Sequence, residues 1–210
     1  MRPLLVLHGS VGSPGNFGPL LRSLADAARR TVCAPPYGGR GTAPLAAARD
    51  ELLPVARRLA AGSPDGSIDV VGHSLGGLHG LLLAGAGVPV RRLVGLGACF
   101  RGLPAHLADP RLRLVPARGI VRFFSAGAAE VMTDRPGEVP GLEAPLGALF
   151  EAGLSVVSVV SDADRVVPGA SSDLRGLSGV REESFRLVRV HGVRHENLPQ
   201  LVDEVLAALR

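Results

Sequence analysis

Residues 67–80, SIDVVGHSLGGLHG, decide the fold. Ile68-Asp69-Val70-Val71 has the β-branched, apolar character of a short buried strand, and Leu78 to Ala86 reads as the start of an apolar helix. Between them Gly72-His73-Ser74-Leu75-Gly76 has the G-x-S-x-G spacing. With 28 glycines in 210 residues that spacing alone says little; the strand before it and the helix after it make it specific. A strand–turn–helix of this kind holds Ser74 at a strained backbone position, and Gly72 and Gly76 let the neighbouring backbone approach closely enough to tolerate it. The alternative is a serine in an ordinary strand-to-helix loop.

Outward from this stretch, strand-like apolar runs recur at residues 3–7, 31–34, 91–97, 155–161 and 185–190. Amphipathic patterns separate most of them. Phe17 to Arg30 places Leu20, Leu21, Leu24 and Ala28 on one face, and Leu45 to Ala61 repeats the arrangement with Leu52, Val55, Ala56 and Leu59. Pro54 is expected to bend or interrupt the second helix. Leu198 to Leu209 reads as a closing helix. Alternating strands and helices imply an α/β domain, a mainly parallel sheet of about six strands with helices on both faces. At 210 residues with 46% apolar side chains, the chain suits one domain spanning residues 1–210. Residues 100–154 break the alternation with Pro104, Pro110, Pro116, Pro136, Pro140 and Pro145, and with apolar clusters at Ile120-Val121 and Phe123-Phe124. This excursion is too long for a plain loop and is a candidate lid, or a set of extra helices on the core.

Composition excludes several functions. The 23 basic residues are all Arg, dispersed as singles and pairs without a stripe, and aromatics make up 3%, so the net charge of +4 does not describe a nucleic-acid surface. No apolar run of 18 residues spans a membrane. Only Met1, Arg2 and Pro3 precede the first strand, no secretory signal is visible, and cytoplasmic residence is expected. Gly9-Ser10-Val11-Gly12-Ser13 is neither G-x-G-x-x-G nor a P-loop, and no Lys exists to serve one. No His/Cys spacing fits a metal, and neither cofactor nor metal is expected. Cys33 falls on strand two and Cys99 at the end of strand four; with strand order 2-1-3-4-5-6 they lie about 14 Å apart, and both are expected to be free thiols.

A serine nucleophile requires a base, and the base an orienting acid. Strand five runs into Asp162-Ala163-Asp164, and strand six into His191-Gly192-Val193-Arg194-His195. Asp164 is favoured over Asp162 because Val166-Val167-Pro168 can anchor it against the core. His195, beyond Gly192 and just before the last helix, is favoured over His191, which is expected to bond locally. Backbone N–H donors for an oxyanion are expected from Leu75 and from the loop after strand one, at Ser10 or, as second choice, Val11. In the 2-1-3-4-5-6 order, strands one and three form a topological switch point where that loop and Ser74 meet. His8 and His73 adjoin tight turns and are read as structural, their rings holding loop backbone.

LLVLHGSVGSPGNFGPL, TVCAPPYGGRGTAPLA, IDVVGHSLGG, RRLVGLGACFRG, SVVSVVSDADRVVP and HGVRHENLP together resemble the α/β-hydrolase superfamily, and more narrowly actinobacterial class 2 triacylglycerol lipases and esterases. The resemblance covers all but the middle of the excursion. It implies a minimal α/β-hydrolase fold, starting at what would be the superfamily's third strand, with Ser74 as nucleophile, Asp164 as acid, His195 as base, and Ser10 and Leu75 as oxyanion donors. Leu75 stands where that family often has Gln. The implied activity is carboxylic-ester hydrolysis, by a lipase or esterase, through an acyl-enzyme on a small ester or acyl substrate. Thioester hydrolysis or acyl transfer is the alternative within enzymes, and a non-catalytic binding module the alternative outside them. Lipases of this kind are usually exported and often carry disulfides, unlike a chain with two cysteines and no visible signal.

Overall fold

The computed structural model describes residues 1–26, 30–104, 121–122, 124–133 and 138–210. Its main sheet has six parallel strands, β1 (Leu4–Leu7), β2 (Val32–Cys33), β3 (Ile68–His73), β4 (Val90–Leu96), β7 (Ser155–Ser161) and β8 (Phe185–Val190), in the spatial order β2-β1-β3-β4-β7-β8. Counting these strands alone, the order is the expected 2-1-3-4-5-6. The two intervening strands, β5 (Leu103–Pro104) and β6 (Met132–Thr133), pair with each other in a separate parallel sheet inside the excursion. Strands this short leave no period-2 trace for sequence reading to find.

Strand alternation builds a core on each face. Leu5, Leu7 and Val70 point to one side and join the helices Leu45–Ala61 and Leu75–Gly85; Leu4, Val6 and Val71 point to the other and meet the helices Gly18–Asp26 and Val202–Ala208. With both faces covered, β1 and β3 are buried along their whole lengths, which is why β1 reads as a continuous apolar run and β3 as a mainly apolar one. Helix Leu45–Ala61 buries Leu45, Ala48, Leu52, Ala56 and Ala60 on one stripe and runs through Pro54 without interruption. Pro54 sits on the exposed side, where water can satisfy the acceptor that its missing N–H leaves.

Boundaries differ from expectation at three places that matter for the site. β3 continues to His73, and the following helix begins at Leu75 instead of Leu78, leaving Ser74 alone between them. The expected closing helix is two pieces, a 3-10 segment His195–Gln200 containing Pro199 and an α-helix Val202–Ala208. The expected first helix is described from Gly18 to Asp26; Ala27, Ala28 and Arg29 lie outside the described residues. Of the excursion, residues 105–120, 123 and 134–137, with Pro110, Pro116, Ile120, Phe123 and Pro136, lie outside them too. Cys33 and Cys99 are free thiols. Among the described residues, no helix is long and apolar enough to cross a membrane.

Candidate active site

Ser74 is the one residue between Ser67 and Leu83 that is not buried. Its backbone has φ 54° and ψ −122°, a conformation that L residues rarely adopt and that costs about 1–3 kcal/mol. Close packing around it enforces the turn. A Cβ on Gly76 would lie 2.2 Å from the Leu7 carbonyl oxygen, and one on Gly72 would lie 2.4 Å from the Gly76 carbonyl. The strained peptide is tied to the sheet by the Ser74 N–H donating to the Leu96 carbonyl at 2.9 Å. Leu75 opens the helix, where first-turn N–H groups have no intrahelical acceptor.

The two Asp–His candidates at the ends of β7 and β8 form two separate pairs. Asp162 accepts hydrogen bonds from His191 Nδ1 and the Gly192 N–H, each at 2.8 Å, and both side chains are exposed. Asp164 accepts one from His195 Nδ1 at 2.7 Å, and there the side chains are 2% and 10% exposed. Its other oxygen accepts the N–H groups of Val166 and Val167, both at 2.8 Å. Burial pushes the Asp164 carboxyl up, but the bond from His195 and those from the Val167 and Val166 amides outweigh it and hold the group below the ordinary carboxylate range. In the neutral imidazole, a carboxylate at Asp164 places the ring proton of His195 on Nδ1 and leaves the lone pair on Nε2.

The two further histidines have the loop-holding roles expected of them. His73 Nε2–H donates to the carbonyl of His195 at 2.9 Å, and the two rings pack with centroids 4.5 Å apart. Burial, with the neighbouring His195 ring adding to it, drives His73 down to about 3, so it stays neutral while holding the His195 backbone. His8 Nδ1–H donates to the Gly9 carbonyl at 2.9 Å. Its ring stacks on Tyr37 at 4.4 Å.

A cavity of about 250 Å³ is walled by Ser74, His195, Leu75, Ser10 and Val11, with Cys99, Leu103, Ala128, Val131 and Val166 making its apolar side. Of the residues singled out in the sequence, it brings together Ser74, His195, Ser10, Leu75 and Val11, with His73 and Cys99; Asp164 stands behind His195, and Asp162 and His191 are not part of the wall. In the Gly9–Gly12 turn, closed by the Gly12 N–H to the Gly9 carbonyl at 3.1 Å, Val11 has φ 58°. A β-branched residue there is a genuine outlier, so this loop too is held under strain. Leu103, Ala128 and Val131 belong to the excursion, which thus supplies part of the cavity wall. Among the described residues no group of His, Cys, Asp and Glu could hold a metal ion.

The model of the alpha/beta hydrolase family matches residues 4–209. The chain belongs to that family. Among solved structures, this α/β-hydrolase is similar to a monoacylglycerol lipase of Paleococcus ferrophilus, with 19% identity over 99% of this chain and 93% of that one and a TM-score of 0.60. It is similar to the type II thioesterase BorB of the borrelidin biosynthetic cluster, with 21% identity over 100% and 90% and a TM-score of 0.62. It also resembles the metagenome-derived lipolytic enzymes LipS and LipT, with 19% identity over 98% and 92% and a TM-score of 0.62. At such identities the likeness is one of fold. No curated protein sequence matches the chain.

Sequence reading missed Gly97. It follows β4 with φ 53°, and a Cβ there would lie 2.8 Å from Asp164 Oδ2, 2.6 Å from Leu198 Cδ1 and 3.1 Å from His195 Nδ1. The Asp164–His195 pair occupies the space that a side chain would take. In a chain with so many glycines nothing local distinguishes this one.

Proposed function

We propose that this α/β-hydrolase is a serine carboxylic-ester hydrolase acting through an acyl-enzyme on Ser74. The observation that carries the reading is the buried Asp164–His195 pair in the wall beside a strained, accessible Ser74. Ser74 Oγ attacks the ester carbonyl as His195 Nε2 takes its proton. Asp164 holds Nδ1–H and stabilises the imidazolium that forms. The oxyanion accepts the backbone N–H groups of Ser10 and Leu75. His195 then passes its proton to the departing alcohol, water attacks the acyl-enzyme with His195 again as base, and the carboxylic acid leaves. The apolar wall of Cys99, Leu103, Ala128 and Val131 suits an acyl group. No residue of this sequence calls for a cofactor.

The test is hydrolysis of p-nitrophenyl esters from acetate to palmitate by the wild type and by Ser74→Ala. Activity confined to the wild type supports the reading, and its dependence on acyl length separates esterase from lipase. A folded wild type that turns over no ester and leaves Ser74 unlabelled by a fluorophosphonate overturns it. The same acyl-enzyme serves a thioester or a different acceptor, and competing thiols and alcohols in the assay separate those outcomes.

A further inference from the structure

The Ser10 hydroxyl donates to the Ser125 hydroxyl at 2.8 Å, across 115 residues of sequence. Ser125 is buried and caps the short helix Ala126–Glu130, its Oγ accepting the Ala128 N–H at 3.1 Å. That helix and the residue after it bring Ala128 and Val131 to the cavity wall. Both ends of the helix are docked in turn on the segment 42–45. The Ala126 N–H donates to the Thr42 carbonyl at 2.8 Å, and Glu130 Oε2 accepts the Leu45 N–H at 2.8 Å.

Thr42 follows a left-handed turn, Gly38–Gly41, closed by the Gly41 N–H to Tyr37 and the Thr42 N–H to Gly38. Arg40 in that turn, at φ 65°, donates Nη2 to the Val11 carbonyl at 2.8 Å. The contacts close a ring: Ser10 to Ser125, Ala126 to Thr42, Arg40 back to Val11. Both central residues of the strained Gly9–Gly12 turn are thus held from outside it, one by the excursion and one by the left-handed turn.

We infer that Ser125 is a positioning residue for catalysis, its hydroxyl holding Ser10 so that the oxyanion site is complete only with the 125–133 segment docked. This rests on the acyl-enzyme reading. A preorganised oxyanion donor must not move when charge develops, and a loop with left-handed Val11 would relax without its anchors. The excursion therefore contributes to the chemical step as well as to the cavity wall.

The experiment measures the rate of Ser74 phosphonylation by a fluorophosphonate, and kcat and KM on p-nitrophenyl butyrate, in the wild type, Ser10→Ala, Ser125→Ala, the double variant and Ser125→Thr. Ser10→Ala keeps the backbone N–H and does not touch the helix cap, so it reports the tether even if Ser125→Ala folds poorly. Each single variant is expected to lose about five- to tenfold in phosphonylation rate and kcat, with KM changed less than twofold. The double variant should lose no more than either single one, and Ser125→Thr should retain wild-type rates. Wild-type rates in Ser10→Ala, or losses that multiply in the double variant, overturn the inference while leaving the acyl-enzyme reading intact. An unlabelled wild-type Ser74 overturns both.

Discussion

Lowering the pH from 7 to 5 should remove about 4 kcal/mol of folding stability, through two buried histidines that do no chemistry in the proposed reaction. Burial drives His73 to about 3 and His79, completely inaccessible, to about 4, with the nearby His195 and His8 rings respectively adding to the effect. An unfolded chain returns each to about 6.5. Their folded values lie below their unfolded ones, so the unfolded state binds more protons as pH falls. Stability is fully present above about 6.5 and is lost below it, at about 1.4 kcal/mol per pH unit for each ring. The loss ceases for His79 near pH 4 and for His73 near pH 3. At pH 5 each contributes about 2 kcal/mol, a large share of the 5–15 kcal/mol typical of a domain. Because the chain has no Trp and one Tyr, urea unfolding at pH 7, 6 and 5 is best followed by far-UV circular dichroism. His79→Leu isolates one half of the argument. Neither ring nitrogen of His79 has a hydrogen-bond partner, so the replacement strands none, and the pH 7-to-5 loss should fall from about 4 to about 2 kcal/mol. Equal wild-type stability at pH 7 and pH 5, or an undiminished loss in His79→Leu, would refute the reasoning.

The paired carboxylates make a matched test of the site. Asp164→Asn should lower kcat by about 10³- to 10⁴-fold, because the Nδ1 tautomer loses its acceptor, while Asp162→Asn, on the exposed His191 pair, should stay within about threefold of wild type. Steady-state kinetics on p-nitrophenyl acetate decide it, and comparable losses in both variants would sink the assignment of the acid. Gly97→Ala should lower the unfolding free energy by about 1 kcal/mol from the left-handed φ alone, read as a lower urea midpoint, and reduce kcat/KM at least tenfold by displacing Asp164 and His195. Wild-type kinetics in that variant would show that the close packing at Gly97 does not position the pair.

What could be read from sequence is what short-range chemistry encodes. The mainly apolar runs of β1, β3 and β7, with no polar face, require helices on both sides, and the alternation of strands and helices implies a parallel sheet; the order expected for it is the one found. The G-x-S-x-G spacing is equally local: Gly72 and Gly76 stand within a few residues of Ser74, and the atoms that exclude a Cβ at Gly72 belong to the turn itself, whereas those at Gly76 come from Leu7 and His8 at the end of the neighbouring strand. The placement of a candidate acid and base after β7 and β8 follows from chain order, so Asp164 and His195 could be named before any geometry was known.

Sequence already favours Asp164 and His195, but the geometry that distinguishes the two pairs belongs to tertiary structure. Asp162 and Asp164 are two residues apart and chemically identical; burial and the Val166 and Val167 amides, available only once the loop packs, separate the Asp164–His195 pair from the exposed Asp162–His191 pair. Gly97, Ser125 and Arg40 were invisible for the same reason. Each acts through a partner 29 to 115 residues away, and neither residue type nor spacing records which distant atoms will meet. Local pattern sets which residues could do the chemistry; long-range packing sets where each is held, and only the folded chain carries that information.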